Sequence, residues 1–456
     1  MRTIRETVQL VRAGKVEATR LVKNALKRTE SEADLNAFTL LNAKAAIARA
    51  ARIDAEIATG ESLGPLAGIP VVIKDNMNVA GLDTTAGTPG IRYQPDQSAL
   101  VVTRLIEADA IVLGKTNLHE LAFGVTSINA AFGAVRNAAD PRCFAGGSSG
   151  GTATAVAADL CLAGLGSDTA GSVRLPAALC GAVGFRPTTW SVSPDGVVPS
   201  VPTFDVVGPI TRCVEDAAMI YSIMTNSLVP EPRPVSELRI GLASPYILDL
   251  EPNVERAFDN AMDRLKRAGV TIVNVDLAAI SENSFDIGFP IGFYEMRRAL
   301  TRFLQSMQTQ ASLETVVDKV ASEDVRSVYL DSVLGSGAPS QRAYDEAIAR
   351  IPMLRTRYRE ILEAHRLDAI AFPTSPLQAL PIEGLADTVA LAGETIPVMA
   401  AFMRNVAPTG VYGAPGLSIP LPKSRRSLPV GLELDGLPDD DLDLLAVGMA
   451  VESVLD

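Results

Sequence analysis

Short apolar runs alternate with amphipathic stretches over residues 65–215 of the chain. The runs at 69–73 and 110–113 are continuously apolar, which predicts buried strands, and residues 101–107 between them repeat their apolar positions with helical spacing. Strands that alternate with helices pair largely in parallel and are covered on both faces. The pattern therefore predicts an α/β fold with a mixed, largely parallel β-sheet core covered by helices on both faces.

Helical periodicity also extends over residues 1–60 and 285–366. Further strand-like runs lie at 238–243, 271–275, 368–373, 417–421 and 430–434. A polar connector with three prolines, residues 225–236, could mark a domain boundary. Because strand-like runs resume after it, we interpret it as a surface crossing and predict a single domain over residues 1–456.

Histidine is scarce, because only His119 and His365 occur in 456 residues. This nearly removes metal sites built from histidine clusters, and it leaves a Ser-His-Asp or Cys-His mechanism only two candidates. We expect His119 to be packed or hydrogen-bonded and His365 to end a helix. The sequence therefore predicts no metal, and a hydrolase of this composition is expected to move its proton through a group other than imidazole.

The charge balance and the cysteines bear on partners and location. The net charge of −12 disfavours binding to nucleic acid, and we expect the basic run at 423–426 to be a solvated turn between strands. The four cysteines contain no C-x-x-C pair, which is typical of a reducing compartment. No stretch has the length and apolar composition that are typical of a membrane span or a secretory signal. We therefore expect a cytoplasmic protein with no nucleic-acid or membrane partner.

Two runs rich in glycine and serine, at 146–151 and 166–172, are the candidate binding or catalytic segments. The first run could be a flexible linker or a phosphate-cradling loop, although the Gly-x-x-x-x-Gly-Lys-Ser/Thr pattern is absent. A second interpretation is a nucleophilic serine, which needs a base. Lys74 ends the apolar run 69–73, where burial would lower its pKa and keep it neutral. A lysine that extends from a strand end to solvent is the alternative.

The motifs taken together resemble the amidase signature family. The resemblance is carried by the run Gly-Gly-Ser-Ser-Gly-Gly, by a serine 24 positions after the first of the two serines in this run, and by a lysine upstream of the run. In this chain these features occupy residues 146–151, Ser172 and Lys74 within 68–75, and further matching stretches lie at 115–122, 181–188 and 413–418. The resemblance covers nearly the whole chain, is densest in a signature core at about 65–215, and implies the amidase signature fold.

The resemblance also implies roles for individual residues. Ser172 resembles the nucleophile that forms the acyl-enzyme, Ser148 resembles the bridging serine whose peptide bond with Gly147 is cis, and Lys74 resembles the base. Neutral Lys74 would take a proton from Ser148, which would take one from Ser172, and the relay would reverse to protonate the leaving amine. The family requires no cofactor. The implied oxyanion hole consists of the backbone N–H groups of Thr169, Ala170, Gly171 and Ser172.

Several further residues are expected to support these loops. Gly147, Ser149 and Asp168 are expected to shape the catalytic loops, and Arg174 is expected to be structural, with substrate contact as the alternative. Ala170 stands where the family usually has glycine, so a positive φ at this position would be strained. Arg186 stands where the family commonly has lysine. Apolar residues of the helical segment at about 285–366 are expected either to wall a substrate pocket or to be plain core.

Within the family, the chain is most similar to the arylacetamide branch, which includes indoleacetamide and mandelamide hydrolases. Residues 124–133, 294–295, 321–325 and 372–376 carry this resemblance. It implies a serine hydrolase that cleaves small, aryl-containing amides to acid and amine as a monomer or homodimer. Related enzymes with the same triad cleave aryl carbamates (urethanes), anilides or esters. A glutaminase subunit of a tRNA-dependent amidotransferase and a non-catalytic binding scaffold are alternatives from other classes.

Overall fold

The computed structural model describes residues 3–307, 311–422 and 427–455. The basic run at 423–426, expected to be a turn, lies outside the described residues. The α-helices are α1 (Ile4–Arg12), α2 (Ala18–Ser31), α3 (Ala43–Ala58), α4 (Leu100–Glu107), α5 (Gly150–Ala157), α6 (Arg174–Cys180), α7 (Val214–Thr225), α8 (Pro252–Arg267), α9 (Ala278–Ser306), α10 (Leu313–Val317), α11 (Glu323–Val328), α12 (Gln341–His365), α13 (Val398–Met403), α14 (Ala407–Tyr412) and α15 (Asp441–Leu455).

Within the described ranges the strands form three sheets, of which two are short hairpins. The strands are β1 (Phe38–Leu41), β2 (Pro70–Lys74), β3 (Ile111–Thr116), β4 (Ile128–Asn129), β5 (Gly133–Ala134), β6 (Ala163–Asp168), β7 (Val183–Arg186), β8 (Val206–Thr211), β9 (Arg239–Ser244), β10 (Thr271–Asp276), β11 (Ala369–Pro373), β12 (Thr388–Leu391), β13 (Glu394–Pro397), β14 (Gly416–Pro420) and β15 (Gly431–Asp435). The hairpins pair β4 with β5 and β12 with β13.

The main sheet has eleven strands among the described residues, in the order β1-β3-β2-β6-β8-β7-β14-β15-β11-β9-β10. Parallel pairing lies in two blocks, β3-β2-β6 and β11-β9-β10. Antiparallel pairing joins the blocks through β8, β7, β14 and β15. The predicted α/β class with a mixed sheet is confirmed. Strands from both sides of the connector at 225–236 pair within this sheet.

The alternation of side chains along β2 explains how the sheet is covered and where its lysine points. Val71 and Ile73 pack into a cluster with α1, α4 and α7 on one face, whereas Val72 packs with α2, α3 and α5 on the other. Lys74 continues this alternation on the Val72 side, towards the start of α5. Because β2 and β6 are parallel neighbours, the loops that follow them meet at one edge of the sheet.

Some elements differ from the sequence-based expectations. β1 interrupts the helical region that was predicted over residues 1–60. The sequence did not predict this strand, because it is a partly exposed edge strand of four residues, too short to show a clear alternation. The helical segment contains two long helices, α9 and α12, with the short α10 and α11 between them. In the part of the chain that is described, no helix is long and apolar enough to cross a membrane.

Candidate active site

Lys74 is fully buried at the carboxyl end of β2, and its ammonium nitrogen is held by two serines. Nζ lies 2.8 Å from Ser148 Oγ, 2.9 Å from Ser167 Oγ and 3.4 Å from the Ser167 carbonyl oxygen. Burial lowers the pKa of Lys74 to about 7, although the nearby carboxylates of Asp168 and Asp205 act in the opposite direction. A substantial fraction of Lys74 is therefore neutral at physiological pH and able to accept a proton.

Ser148 sits in the tight loop that leads into α5, and its side chain is inaccessible to solvent. The Gly147–Ser148 peptide bond is cis. The Ser148 carbonyl oxygen accepts a hydrogen bond from the His119 N–H at 3.1 Å. Glycine is needed at 147 because a β-carbon there would lie 2.8 Å from the Gly124 carbonyl oxygen. The loop is thus packed tightly enough to fix the serine beside Lys74.

Ser172 lies in the loop between β6 and α6 and is partly accessible from a cavity. The Ser149 N–H donates to the Ser172 carbonyl oxygen at 3.1 Å, which ties the loop before α5 to the loop before α6. Ser149 also donates through its hydroxyl to the Ser167 carbonyl oxygen. The predicted site residues Lys74, Ser148 and Ser172 therefore converge from β2 and from the loops before α5 and α6.

Asp168 is the acceptor for two N–H groups of the loop that follows β6. Its carboxylate accepts hydrogen bonds from the N–H groups of Gly171 at 2.8 Å and of Val173 at 3.1 Å. The Gly171 N–H, one of the four expected oxyanion donors, is therefore engaged within the loop. Ala170 does not have a positive φ, whereas Gly171 does, at 113°, so the alanine is not strained at this position.

A buried charge network lies beneath this loop. Arg174 Nε lies 3.1 Å from Asp168 Oδ2, and its Nη1 lies 2.8 Å from Glu433 Oε1 on β15. Arg186 Nη1 lies 3.1 Å from Asp168 Oδ1. Burial alone would raise the pKa of Asp168, but the two arginines and the loop amides outweigh it and hold that pKa well below its usual range. Arg174 is fully buried, and its guanidinium group also donates to the Thr409 hydroxyl and the Val406 carbonyl oxygen.

An apolar cavity of about 160 Å³ opens at Ser172. Its wall includes Phe285, Phe289 and Phe293, which follow one another along α9 with ring centroids 6.0 and 5.9 Å apart. The catalytic side of the cavity is formed by Gly147, Thr169, Ala170 and Ser172. Of the apolar residues expected either to wall a pocket or to be core, Phe289, Phe293 and Met296 line the cavity, whereas Leu304 belongs to the core.

Sequence reasoning missed two contributors to the site. Ser167 supplies two of the three oxygen contacts of Lys74 Nζ, and its only signal was its position directly before Asp168 in the glycine-rich run. Asp205 accepts hydrogen bonds from the Thr169 hydroxyl at 2.5 Å and from the Ser200 N–H at 2.8 Å, and no motif indicated it. Among the described residues, no group of three or more histidines, cysteines, aspartates or glutamates could hold a metal ion.

Comparisons with known proteins identify the family of the chain. The amidase family model matches residues 20–445. Mandelamide hydrolase from Pseudomonas putida is 38% identical over 99% of this chain and 91% of its own length. Indoleacetamide hydrolase from Allorhizobium ampelinum is 36% identical over 99% of this chain and 98% of its own. A solved structure described as an amidase superposes with a TM-score of 0.90 at 32% identity over the full length of both chains. The chain therefore belongs to the amidase family and is an amide-cleaving hydrolase.

Proposed function

We propose that the enzyme cleaves the C–N bond of small, aryl-containing amides through an acyl-enzyme at Ser172, with Ser148 as the bridging serine and Lys74 as the base. The observation that carries the proposal is the buried Lys74, whose lowered pKa and 2.8 Å contact with Ser148 Oγ suit it to accept a proton. The partly accessible Ser172 at the cavity wall supplies a nucleophile that a substrate can reach.

The proposed reaction balances its protons within the relay. Ser172 Oγ attacks the carbonyl carbon while its proton passes to Ser148 and the Ser148 proton passes to Lys74 Nζ. The relay then reverses, and the proton reaches the leaving nitrogen as the C–N bond breaks. Water attacks the resulting ester by the same relay and releases the acid. The backbone N–H groups of Thr169, Ala170 and Ser172 are the proposed oxyanion donors, each worth ~3 kcal/mol of transition-state stabilisation.

The preference for an aryl group rests on the apolar cavity. Three phenylalanine rings of α9 and Met296 form one side of it, next to the catalytic loop. Aromatic rings that meet a substrate ring in offset or edge-on geometry add affinity beyond simple burial. We therefore place the acyl part of the substrate in the cavity, with its carbonyl carbon at Ser172.

Trapping of the acyl-enzyme tests the proposal directly. Rapid quenching of the wild-type enzyme with an aryl ester, followed by mass spectrometry, is expected to show the mass of one acyl group on the peptide that contains Ser172. Ser172→Ala is expected to remain folded by circular dichroism but to lose turnover. Turnover retained by Ser172→Ala, or acylation at another residue, would remove Ser172 as the nucleophile.

The substrate class is resolved by a panel, because the same acyl chemistry serves aryl carbamates, anilides and esters. We expect kcat/KM to be highest for primary arylacetamides among the nitrogen compounds.

The proposal further holds that the chain acts as a cytoplasmic monomer or homodimer, without nucleic acid or membrane. Inactivity of the purified chain, together with glutaminase activity after addition of partner subunits, would favour an amidotransferase subunit instead.

A further inference from the structure

His119 is buried outside the proposed relay, yet its two ring nitrogens contact two different parts of the molecule. The Ser127 N–H donates to Nδ1 at 3.1 Å, so Nδ1 acts as an acceptor. The proton of the neutral ring is therefore on Nε2, which lies 3.0 Å from Asp324 Oδ2 and donates to it. The two partners fix both the tautomer and the orientation of the ring.

The Nδ1 side of the ring leads to the catalytic serine loop. Ser127 donates through its hydroxyl to the Ser148 carbonyl oxygen at 3.4 Å and accepts from the Gly150 N–H at 3.2 Å. The His119 N–H donates to the same Ser148 carbonyl oxygen. The ring thus holds Ser127, and Ser127 bridges the Ser148 carbonyl oxygen and the N–H of Gly150, the first residue of α5.

The Nε2 side of the ring leads to the substrate cavity. Asp324 lies in the first turn of α11, and Val328, the last residue of that helix, lines the cavity. The adjacent Glu120 reinforces the contact, because its carboxylate accepts the Ser322 N–H at 2.8 Å. Residues 119 and 120 together therefore hold the start of α11 against the catalytic half of the chain.

We propose that His119 is a positioning residue that acts in two directions, through Nδ1 on the orientation of Ser148 and through Nε2 on the cavity wall formed by α11. The inference rests on the proposed function of Ser148. It assigns no proton transfer to the imidazole, which lies outside the line from Lys74 to Ser172.

Two isosteric substitutions separate the two directions. In His119→Gln the amide nitrogen replaces Nε2 and the acceptor for Ser127 is lost, so we expect kcat to fall about tenfold with KM within about twofold. In His119→Asn the amide oxygen replaces Nδ1 and the contact with Asp324 is lost. Because Asp324 is exposed, we expect only about a threefold rise in KM for an arylacetamide, with kcat within about twofold.

Two further variants keep the test decisive. Asp324→Ala changes an exposed side chain and is expected to repeat the KM effect of His119→Asn, even where a substitution at 119 impairs folding. His365→Gln changes the other, exposed histidine and is the matched control, with both kinetic constants unchanged. A purely structural role would instead change kcat and KM in parallel in both His119 variants, and such a result would overturn the inference.

Ser148→Ala, measured beside these variants, distinguishes failure of the inference from failure of the proposed function. Loss of turnover in Ser148→Ala without the kcat and KM split at His119 removes only the positioning role. Retention of full turnover in Ser148→Ala removes the relay itself, whatever the His119 variants show.

Discussion

The residue with the most distinctive environment is Lys74, because it combines complete burial with contacts to two hydroxyl groups. A lysine is stable in such a place when it is neutral or close to neutral. Desolvation, the largest influence on its pKa, favours that form. The same physical effect that makes the base available thus makes its protonation state sensitive to pH near neutrality.

The pH dependence of kcat/KM is expected to follow this residue. Below about pH 7 the rate should fall about tenfold per pH unit, because Lys74 gains a proton and can no longer accept one; above about pH 7 it should level off. Lys74→Ala is expected to lower kcat about 10²- to 10⁴-fold and to abolish this limb. A limb that persists in Lys74→Ala, or that disappears in His119→Gln, would contradict the lysine relay.

We expect Arg174 to contribute to stability rather than to chemistry. Arg174→Met would leave Asp168 and Glu433 buried without their shared partner, and we expect it to lower the free energy of unfolding by about 3–5 kcal/mol. Urea denaturation measures this loss. Arg142→Met is the matched control, because the Arg142–Asp140 pair is on the surface and its loss is expected to change the free energy of unfolding far less than Arg174→Met does. Equal losses in both variants would mean that the buried network does not carry this energy.

At the scale of elements, sequence patterns predicted the strands that have long apolar runs and the helices that have clear periodicity. β2 and β3 overlap the predicted runs at 69–73 and 110–113, because strands that are buried on both faces favour continuous apolar residues. β1 was missed because an edge strand of four partly exposed residues carries no such signal. The position of Lys74 on the α5 side of the sheet follows from the two-residue repeat, but its contact with Ser167 depends on tertiary packing.

Helix α9 is the element in which we expect substrate size to be set. Gly292 faces the cavity beside Phe289 and Phe293, and a β-carbon at this position would come no closer than 3.9 Å to Val201. Gly292→Leu is therefore expected to fold and to project into the cavity, raising KM for a bicyclic arylacetamide about tenfold while leaving a small aliphatic amide nearly unaffected.

Gly292→Ala is the control for this prediction. It adds one methyl group and raises helix propensity by about 1 kcal/mol, so it should stabilise α9 with little effect on KM. Steady-state kinetics with the two amides gives the comparison. If Gly292→Leu changes KM for both amides equally, the cavity does not hold the acyl group.

At the scale of the whole molecule, the predicted site residues come together although they are spread along the sequence, because β2 and β6 are parallel neighbours in one sheet. The resemblance of the motifs to the amidase signature family implied Lys74, Ser148 and Ser172 as a set. The contributions of β15 and of α14 to the loop beneath Ser172 were not predictable, since no local pattern links Glu433 or Thr409 to Arg174.

The purified chain is expected to hydrolyse an arylacetamide on its own and to keep full activity in EDTA. The donor groups of the described residues do not form a cluster suited to a metal ion, and the proposed relay needs none. Activity measured before and after dialysis against the chelator tests this. Loss of activity that added metal restores would require a different mechanism.

The order of strands in the sheet also has a consequence for biosynthesis. Within the described residues, β14 and β15 leave the ribosome after every other strand of the main sheet, yet they pair between β7 and β11 in the interior of the sheet. The growing polypeptide therefore carries Lys74, Ser148 and Ser172 long before Glu433 arrives to pair with Arg174. A nascent chain would hold every reactive group and still lack a finished active site, so the enzyme would become active only when its carboxyl-terminal strands are in place.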